Sequence, residues 1–286
     1  MQFLRDGDEV LQVPPVQPIH TLTVSVRTRF VIAASGRRGL AGRMANTTIA
    51  LVTGGNKGIG FETAAQLAAT GATVLLGARD RVRREEAVAA LRATGADVHP
   101  VELDVTDPAS AVAAAALVDA TYGRLDVLVN NAAVSGGWMP LTGSDPAVVR
   151  AVFDTNVVGV MNVTNAFLPL LRRSAAPRVV NVSSSVGSLH VQRDFRGPLG
   201  QLPGSAAYVP SKAALNALTV QYAKELRGTG ILVNAVDPGY CATDFNNHAG
   251  TRPAAAGAAN VVRLATVGND GPTGGFYADD GAVVPW

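Results

Sequence analysis

Tyr208 and Lys212 have the types and the spacing that proton transfer requires. They stand four positions apart in the segment Tyr208-Val209-Pro210-Ser211-Lys212, and on a helix that spacing places both side chains on one face. A nearby ammonium lowers the pKa of a phenol, whose ordinary value is about 10. The pair therefore predicts a general acid and base built from a tyrosine hydroxyl.

A glycine-rich loop upstream predicts a dinucleotide site. The segment from Thr53 to Gly60 reads TGGNKGIG, and it follows an apolar run and opens a helical pattern. Backbone N–H groups in such a loop face a pyrophosphate at the positive end of the helix. The spacing differs from the common GxGxxG pattern, and the loop alone would also suit a plain tight turn. Combined with the Tyr208 and Lys212 pair, it indicates hydride transfer.

The end of the second predicted strand bears on the choice of cofactor. It reads Gly77-Ala78-Arg79-Asp80, with alanine where an acid would chelate the ribose hydroxyls of NAD. Arg79, with Lys57 in the glycine loop, offers positive charge for the 2′-phosphate of NADP. We therefore predict NADP(H). The alternative is that Arg79 is a solvated surface charge and Asp80 binds the ribose.

Composition and charge limit the partners. The chain has 286 residues, 48% of them hydrophobic, and a formal net charge of +2; this near-neutrality argues against nucleic acid or a membrane surface as partner. The single cysteine, Cys241, excludes an internal disulfide and favours a reducing cytoplasm, and we expect it to be a small buried residue. No apolar run approaches the ~20 residues of a membrane helix. The histidines at 20, 99, 190 and 248 have no metal-ligand spacing, so no metal site is predicted.

Strands and helices alternate from Thr48 onward. Strands are predicted over Ile49 to Val52, Thr73 to Leu76, Val98 to Leu103, Leu125 to Val129, Arg178 to Val182, Ile231 to Val236 and Gly274 to Tyr277. Helices are predicted over Gly58 to Thr70, Arg81 to Thr94, Asp107 to Tyr122, Asp145 past Asn156, and Tyr208 to Arg227. Because crossovers between parallel strands are right-handed, the pattern predicts an α/β fold with a parallel sheet of about seven strands and helices on both faces.

The N-terminal residues differ in character from the rest. Residues 1–43 lack a sustained period, contain Val13-Pro14-Pro15 and precede a second methionine, Met44. We predict a poorly ordered extension over residues 1–46, followed by a single domain over residues 47–286. A targeting segment is the alternative interpretation of the extension.

The motifs together resemble the short-chain dehydrogenase/reductase family. The motifs that occur in the order of that family are the glycine loop, Asn130-Asn131-Ala132-Ala133, Asn156, Ser184, Tyr208-xxx-Lys212 and Pro238-Gly239. Asn56-Lys57, Ala78-Arg79 and Gly274-Gly275-Phe276 are most similar to its NADPH-dependent carbonyl-reductase branch. The resemblance implies a Rossmann-type doubly wound sheet. It also implies an NADPH-dependent oxidoreductase that reduces a ketone or aldehyde, or oxidises the corresponding alcohol.

The resemblance assigns a role to each catalytic residue. Tyr208 would be the general acid, Lys212 would lower its pKa and bind the nicotinamide ribose, and Ser184 would hold the substrate oxygen. Ser185 leaves a one-residue alternative for the position of that serine. Asn156 would hold, through its backbone, a water on the path to Lys212, and a satisfied polar group of the core is the alternative.

Cofactor contacts implied by the resemblance lie at the ends of several strands. Asp104 resembles an adenine contact, although an aspartate before a turn is also a common cap, and Ala133 stands where the family usually has glycine. Asn131 and Ala132 resemble ribose contacts. The predicted cofactor set is Gly54, Asn56, Lys57, Gly58, Ile59, Gly60, Arg79, Asp104, Val105, Asn131, Ala132, Tyr208, Lys212, Pro238, Gly239 and Thr243.

The sequence leaves the substrate and the oligomeric state open. Ser184 and Tyr208 are 24 positions apart, and the loop over residues 188–205 either covers the substrate, blocks a dimer face or is an irregular surface loop. Four large side chains either line an apolar pocket or belong to the core: Trp138, Met139, Tyr240 and Phe245. The expected partner is a small carbonyl or alcohol.

Two other functions fit parts of the pattern. A catalytically idle NADP(H) sensor or regulator would keep the fold, but the intact Ser184, Tyr208 and Lys212 set argues against it. A sugar-nucleotide epimerase or dehydratase uses a similar tyrosine and lysine pair, but such enzymes usually have a larger C-terminal substrate domain than the stretch after Lys212 provides.

Overall fold

A parallel sheet of seven strands forms the centre of residues 47–286, the part of the chain that this computed structural model describes. The predicted N-terminal extension, residues 1–46, lies outside the described residues. The sheet strands are β1 Ile49–Thr53, β2 Thr73–Ala78, β3 Val98–Glu102, β4 Val127–Asn130, β5 Arg178–Val182, β6 Leu232–Val236 and β9 Phe276–Tyr277. Their order is β3-β2-β1-β4-β5-β6-β9. This is the predicted Rossmann-type doubly wound arrangement.

Two further strands and eight helices complete the described part. β7 (Cys241–Ala242) and β8 (Arg252–Pro253) pair with each other in parallel. The helices are α1 Gly58–Ala69, α2 Arg81–Ala93, α3 Pro108–Tyr122, α4 Pro146–Phe153, α5 Gly159–Leu171, α6 Leu189–Gln192, α7 Tyr208–Glu225 and α8 Ala254–Ala265. Within residues 47–286, no helix combines the length and the apolar character that crossing a bilayer requires.

Aspartates define where three of the helices begin. The side chains of Asp80, Asp107 and Asp145 accept hydrogen bonds from backbone N–H groups of the first turns of α2, α3 and α4. Pro108 and Pro146 follow two of these caps, at positions where the missing N–H has no helical partner. The sequence signals for these helix starts are therefore local and strong.

The sheet is covered on both faces, as predicted. β1 alternates between the two cores: Ile49 and Leu51 pack against helices α3, α5 and α7, whereas Ala50 and Val52 pack against α1, α2 and α8. All five residues of β1 are buried. Burial on both sides explains why the strands have continuous apolar runs rather than alternating ones.

Helix α8 and helix α6 were not predicted from the sequence. The segment of α8 has no side-chain cap, starts after Pro253 and contains Gly257, so local signals for a helix are weak there. A β-carbon at position 257 would lie 3.0 Å from the carbonyl oxygen of Pro238, so glycine permits close contact with the turn after β6. Helix α6 lies in the 188–205 loop, which is thus partly ordered as a helix.

Residues of the 188–205 loop contact the C-terminus. The hydroxyl of Ser188 donates to the carbonyl of Pro285 at 2.5 Å, and the backbone N–H of His190 donates to the carbonyl of Trp286 at 3.2 Å. The Trp286 ring in turn stacks on Phe276 of β9, with centroids 5.5 Å apart. These contacts attach the loop to the edge of the sheet.

Replacing a leucine of the core tests the assignment of the buried helix faces. Leu91 of α2 is 3% exposed and Leu117 of α3 is 53% exposed. Leu91→Ala is expected to reduce the free energy of unfolding by about 2–5 kcal/mol, because it removes buried methyl groups and leaves a cavity. Leu117→Ala is expected to change it by less than about 0.5 kcal/mol. Urea denaturation of both variants measures the difference; equal effects would contradict the assigned packing.

Candidate active site

The candidate site is a cleft at the carboxyl edge of the sheet, where the strand order reverses. β1 lies between β2 and β4, so the connections after β1 and β4 diverge and leave a crevice, the usual ligand position in such sheets. The cleft has a volume of about 370 Å³. The predicted cofactor residues that line it are Gly54, Asn56, Lys57, Gly58, Ile59, Gly60, Arg79, Asp104, Val105, Asn131, Ala132 and Thr243.

The glycine loop needs glycine for conformation and for space. Gly54 and Gly58 have φ values of 63° and 55°, in the left-handed region that other residues avoid. A β-carbon at position 54 would lie 2.9 Å from the Cα of Ala132, and one at position 58 would lie 3.3 Å from Cγ2 of Thr243. The loop is therefore in close contact with the segments after β4 and β7.

The N-terminus of α1 fits a phosphate. Lys57 stands at the N-cap position and makes no side-chain capping bond, unlike the aspartates that cap α2, α3 and α4. The first N–H groups of a helix have no partner within the helix, and the residues that carry them in α1, Gly58 to Gly60, line the cleft. Such an end binds the pyrophosphate of a dinucleotide well.

Thr53 and Asn131 hold the loop against the end of β4. The hydroxyl of Thr53 accepts hydrogen bonds from the backbone N–H groups of Asn131 (2.9 Å) and Ala132 (3.0 Å). The side-chain amide of Asn131 donates to the carbonyl oxygens of Thr53 (2.9 Å) and Gly54 (3.2 Å). The side-chain amide of Asn131 therefore fixes the glycine loop against the end of β4.

Arginines gather at the end of the cleft next to β2. Arg79 and Arg83 both line the cleft, and Arg83 was not among the predicted residues. Its signal was present in the sequence as a second arginine within the first turn of α2. The carboxylate of Asp80 caps α2 by accepting a hydrogen bond from the N–H of Arg83 at 3.0 Å. This end of the cleft therefore suits a ligand that carries a negatively charged group in addition to its pyrophosphate.

Asp104 stabilises a local turn and also lines the cleft, and its contact with adenine stays a prediction. Its carboxylate accepts from the N–H (3.0 Å) and the hydroxyl (2.7 Å) of Thr106, which is a local turn. It also lines the cleft and lies 3.9 Å from Arg79. Burial alone would raise the pKa of Asp104, but the Thr106 hydrogen bonds and the Arg79 charge together bring it below the ordinary value.

Lys57 is engaged across the cleft. Its ammonium lies 3.1 Å from Asp244, and both side chains are more than half exposed. Phe245 lines the cleft and also contacts the ring of Tyr208, with centroids 5.3 Å apart. The cleft therefore leads from the arginines to the tyrosine, although Tyr208, Lys212, Pro238 and Gly239 are not among its lining residues.

Ser184 and Tyr208 are brought together at this end. Tyr208 is the first residue of α7, and the side chain of Ser184 interacts with its phenol and acts to lower the pKa of that phenol. The hydroxyl of Ser185, in contrast, donates to Asp237. The side chain next to the phenol is thus that of Ser184, which distinguishes between the two positions that the sequence allowed.

The pKa of Tyr208 is raised above its ordinary value, and the expectation that Lys212 lowers it stays a prediction. Burial of the phenol is the largest cause, and the negative charge of Asp237 adds to it, whereas the contact with Ser184 acts in the opposite direction. The Lys212 ammonium lies 5.6 Å from the centroid of the tyrosine ring. A positive charge at this distance favours the phenolate, but burial and the charge of Asp237 outweigh it. The phenol is therefore protonated at neutral pH.

Lys212 is a buried cation. Its side chain is 2% exposed and its ammonium donates to the carbonyl of Val182 at 2.7 Å. Burial lowers the pKa of Lys212 to about 8, and the charge of Asp237 opposes this shift. A β-carbon at Gly187 would lie 2.7 Å from the backbone carbon of Lys212, so glycine there permits the turn after β5 to approach α7.

Asn156 lies in a π-turn between α4 and α5. This turn spans Asp154–Val158, and Asn156 is 1% exposed. Its side chain accepts from the N–H of Val134 and donates to the carbonyl of Val134 (2.9 Å each) and to the hydroxyl of Ser211 (3.0 Å). A π-turn breaks the regular backbone ladder and is frequent at functional sites. The side chain is thus satisfied, and the turn connects the segment after β4 with α7.

The other candidate side chains have different environments. Trp138 and Tyr240 are more than half exposed and Phe245 is 42% exposed, so these three are not core residues. Cys241 is buried as predicted, and its thiol donates to the carbonyl of Pro238 at 3.3 Å. Burial raises the pKa of this thiol, which keeps it in the unreactive protonated form.

Lys212 makes stability depend on pH in a defined window. Because its pKa falls from the ordinary 10.5 to about 8 on folding, the unfolded chain binds more protons between those values. Below pH 8 the buried ammonium lowers the free energy of unfolding by its full amount. This destabilisation decreases as the pH rises, because the folded protein loses the proton first. The free energy of unfolding of the wild type, relative to Lys212→Met, is expected to rise by about 2 kcal/mol from pH 8 to pH 10. Denaturant titrations of both proteins measure it; a constant or falling difference would contradict the buried cation.

Comparisons with known proteins agree with this geometry. The family model for short chain dehydrogenases matches residues 48–254. (+)-Neomenthol dehydrogenase of Capsicum annuum is 31% identical, over 83% of this chain and 98% of that protein. Salutaridine reductase of Papaver bracteatum is 36% identical, over 80% and 93%. The structure of NADPH-bound carbonyl reductase from chicken fatty liver superposes with a TM-score of 0.74 at 29% identity, over 84% and 98%. The chain therefore belongs to the short-chain dehydrogenase/reductase family.

Proposed function

We propose that this protein is an NADPH-dependent oxidoreductase that reduces a ketone or aldehyde, or oxidises the corresponding alcohol. The observation that carries the proposal is the meeting of Ser184, Tyr208 and Lys212 at the end of a cleft whose other end has two arginines. The relatives support it, because they are named as reductases and dehydrogenases and one was solved with NADPH. They give no support to an idle NADP(H) sensor.

The catalytic residues act on the substrate oxygen. NADPH, when bound, supplies the hydride to the carbonyl carbon. The phenol of Tyr208 donates its proton to the carbonyl oxygen as negative charge develops there, and the hydroxyl of Ser184 donates a hydrogen bond to the same oxygen. Interactions that strengthen with this charge lower the barrier, whereas those equal in ground and transition state do not. Ser184 and Tyr208 therefore supply the electrostatic part of catalysis.

Lys212 and Asn156 support the proton transfer. The ammonium of Lys212 would bind the nicotinamide ribose of the cofactor, and it places positive charge near the phenol that gives up the proton. The π-turn at Asn156 frees backbone groups, which is the feature that a water on the path to Lys212 would use. Pro238, Gly239 and Thr243 are the proposed contacts for the nicotinamide carboxamide.

The 2′-phosphate of NADP is assigned to the arginine end of the cleft. Arg79 and Arg83 are exposed cations there, with Ala78 in place of a ribose-binding acid. Lys57 is a third candidate, although it shares its charge with Asp244. Asp104 and Val105 lie at the end of the cleft where adenine is expected.

The setting of the reaction follows from the same features. We infer a small-molecule carbonyl or alcohol as substrate, residues 47–286 as the catalytic domain and the cytoplasm as the compartment, with no role for nucleic acid, a membrane or a metal. The near-neutral charge and the single cysteine support the compartment and the exclusion of nucleic acid.

Removing the Tyr208 hydroxyl tests the proposed acid. Tyr208→Phe is expected to lower kcat by at least about 10²–10⁴-fold, since no other group would protonate the substrate oxygen, and to leave NADPH affinity unchanged. Loss of NADPH absorbance at 340 nm with ketones, aldehydes and quinones measures turnover, and fluorescence titration measures binding.

Tyr222→Phe is the matched control. It removes a hydroxyl from the same helix, where it bonds to Asn165 at 2.9 Å, away from the cleft. Its kcat is expected to stay near the wild-type value. A Tyr208→Phe rate within tenfold of wild type would remove the assignment.

Charge removal at the arginine end tests the choice of cofactor. Arg79→Ala and Arg83→Ala are each expected to raise the KM for NADPH by roughly 10–100-fold, because a charge-assisted hydrogen bond to phosphate is lost, with little change for NADH. Arg81→Ala is the control, since Arg81 is exposed and does not line the cleft. Equal effects on NADPH and NADH would place the 2′-phosphate elsewhere.

A further inference from the structure

Asp237 is a charged residue beside the site that the proposed mechanism does not use. It follows β6 directly and precedes the Pro238-Gly239 turn, and its backbone N–H donates to the carbonyl of Tyr277 in β9 at 2.8 Å. Its carboxylate accepts hydrogen bonds from the Ser185 hydroxyl and, at 2.9 Å, from the N–H of Gly239. It therefore connects the turn that carries Ser184 with the turn after β6.

The buried ammonium of Lys212 needs a compensating charge. Within residues 47–286 it forms no direct ion pair, and its hydrogen bond is to a backbone carbonyl, that of Val182. An isolated cation in a protein interior loses its proton unless an opposite charge or dipoles stabilise it. Val182 pairs with Val236 across β5 and β6, so Asp237, the residue after Val236, follows the strand position next to the acceptor of this ammonium. In agreement with that placement, its negative charge raises the pKa of both Lys212 and Tyr208.

The other groups around Asp237 are neutral or already paired, so they do not compensate the charge of Lys212. Cys241 of β7 is a neutral thiol. Arg252 of β8 is paired with Asp279, so the two charges largely cancel. Towards α8, the carbonyl of Asp237 accepts from the neutral amide of Asn260 at 3.3 Å, and Arg263 lies behind that amide. The tyrosine of β9, Tyr277, offers its backbone carbonyl.

We propose that Asp237 is a positioning residue for the reaction: its carboxylate ties the turns after β5 and β6 together and supplies the negative charge that compensates the buried Lys212 ammonium, which sets the upper end of the pH range for carbonyl reduction. The pH range rests on the proposed function, whereas the protonation of Lys212 does not. In reduction the carbonyl carbon gains a hydride from NADPH, the oxygen takes the phenolic proton, and NADP⁺ and an alcohol remain. Tyr208 then regains a proton from solvent.

Asp237→Asn separates charge from geometry. The amide oxygen can accept from Gly239 N–H as the carboxylate does, and the amide nitrogen can donate to Ser185, because a hydroxyl both donates and accepts. The tie between the turns is thus kept while the charge is lost. Asp280→Asn is the matched control: Asp280 is an exposed carboxylate after β9, bonded to the N–H of Ala282 at 2.8 Å.

A lysine titration tests the charge directly, without any turnover. The lysines of the full chain are Lys57, Lys212 and Lys224, so ¹³Cε-lysine NMR resolves them individually. In the wild type and in Asp280→Asn the midpoint of Lys212 is expected near 8, and in Asp237→Asn about one pH unit lower. The other two lysines are internal controls. A Lys212 midpoint that is the same in Asp237→Asn and wild type would overturn the proposal, whether or not a substrate is known.

Ser185→Ala tests the tie between the turns, and it also serves if Asp237→Asn does not fold. It removes the donor to Asp237 and leaves the charge. The Lys212 midpoint is expected to fall by less than in Asp237→Asn, and kcat to fall several-fold with the KM for NADPH unchanged. An unchanged Lys212 midpoint and an unchanged kcat would show that the tie has no role.

The pH profile connects Asp237 to the reaction. With NADPH and the ketone formed from neomenthol as probe, the upper limb of kcat/KM is expected near pH 8 in the wild type and about one unit lower in Asp237→Asn. If the upper limb of kcat/KM lies at the same pH in Asp237→Asn and wild type while the Lys212 midpoint differs, the link between Asp237 and catalysis is contradicted. The electrostatic effect of Asp237 on Lys212 would then stand alone. Failure of the wild type to oxidise NADPH with any carbonyl of a broad panel would count against the proposed function itself, and the lysine titration would still decide on Asp237.

Discussion

A buried ammonium is the constraint around which the site is arranged. Lys212 is almost without solvent contact, and taking a charge out of water costs several kcal/mol unless other groups stabilise it. The carbonyl of Val182 and the field of Asp237 do so here. This requires the ends of β5 and β6 and the start of α7 to be held in close register. The buried charge therefore fixes how Ser184, Tyr208 and Lys212 lie relative to one another.

A network of buried amides and hydroxyls provides that register. The side chain of Asn130 donates to Thr164 of α5 (3.1 Å) and to Asn181 of β5 (2.9 Å), and Asn181 donates to Thr219 of α7 (2.9 Å). Because a buried polar group without a partner is costly, each member fixes the next. The network links the strands of the cleft to the helix that carries Tyr208 and Lys212.

The two ends of the cleft differ in electrostatic character, and the difference suits a dinucleotide. One end has exposed arginines and the uncapped N-terminus of α1, which attract phosphates. The other end has a buried phenol whose pKa is raised by burial and by Asp237. One end thus suits the phosphates of a negatively charged cofactor, while the phenol at the other end stays protonated, as the proposed proton donor must. The order of the strands separates these environments along one crevice.

The amino-acid sequence by itself determined the fold class and most of the cleft. Apolar strands bounded by aspartates and glycines are local signals, and they predicted all seven sheet strands and the helix starts at Arg81, Asp107 and Asp145. The glycine loop and the Tyr208 and Lys212 spacing are local as well. Helix α8 escaped prediction because it lacks caps and is stabilised by packing on α1 and on the turn after β6.

Only the tertiary structure decided the electrostatics. Sequence spacing predicted that Lys212 lies near Tyr208, but it did not indicate that the ammonium would lie over the ring, nor that Asp237, directly after β6, would act on both. The choice between Ser184 and Ser185, and the presence of Arg83 in the cleft, likewise depend on which side chains meet across elements. Protonation states depend on burial and on charges that are distant in sequence, and these are properties of the folded chain alone.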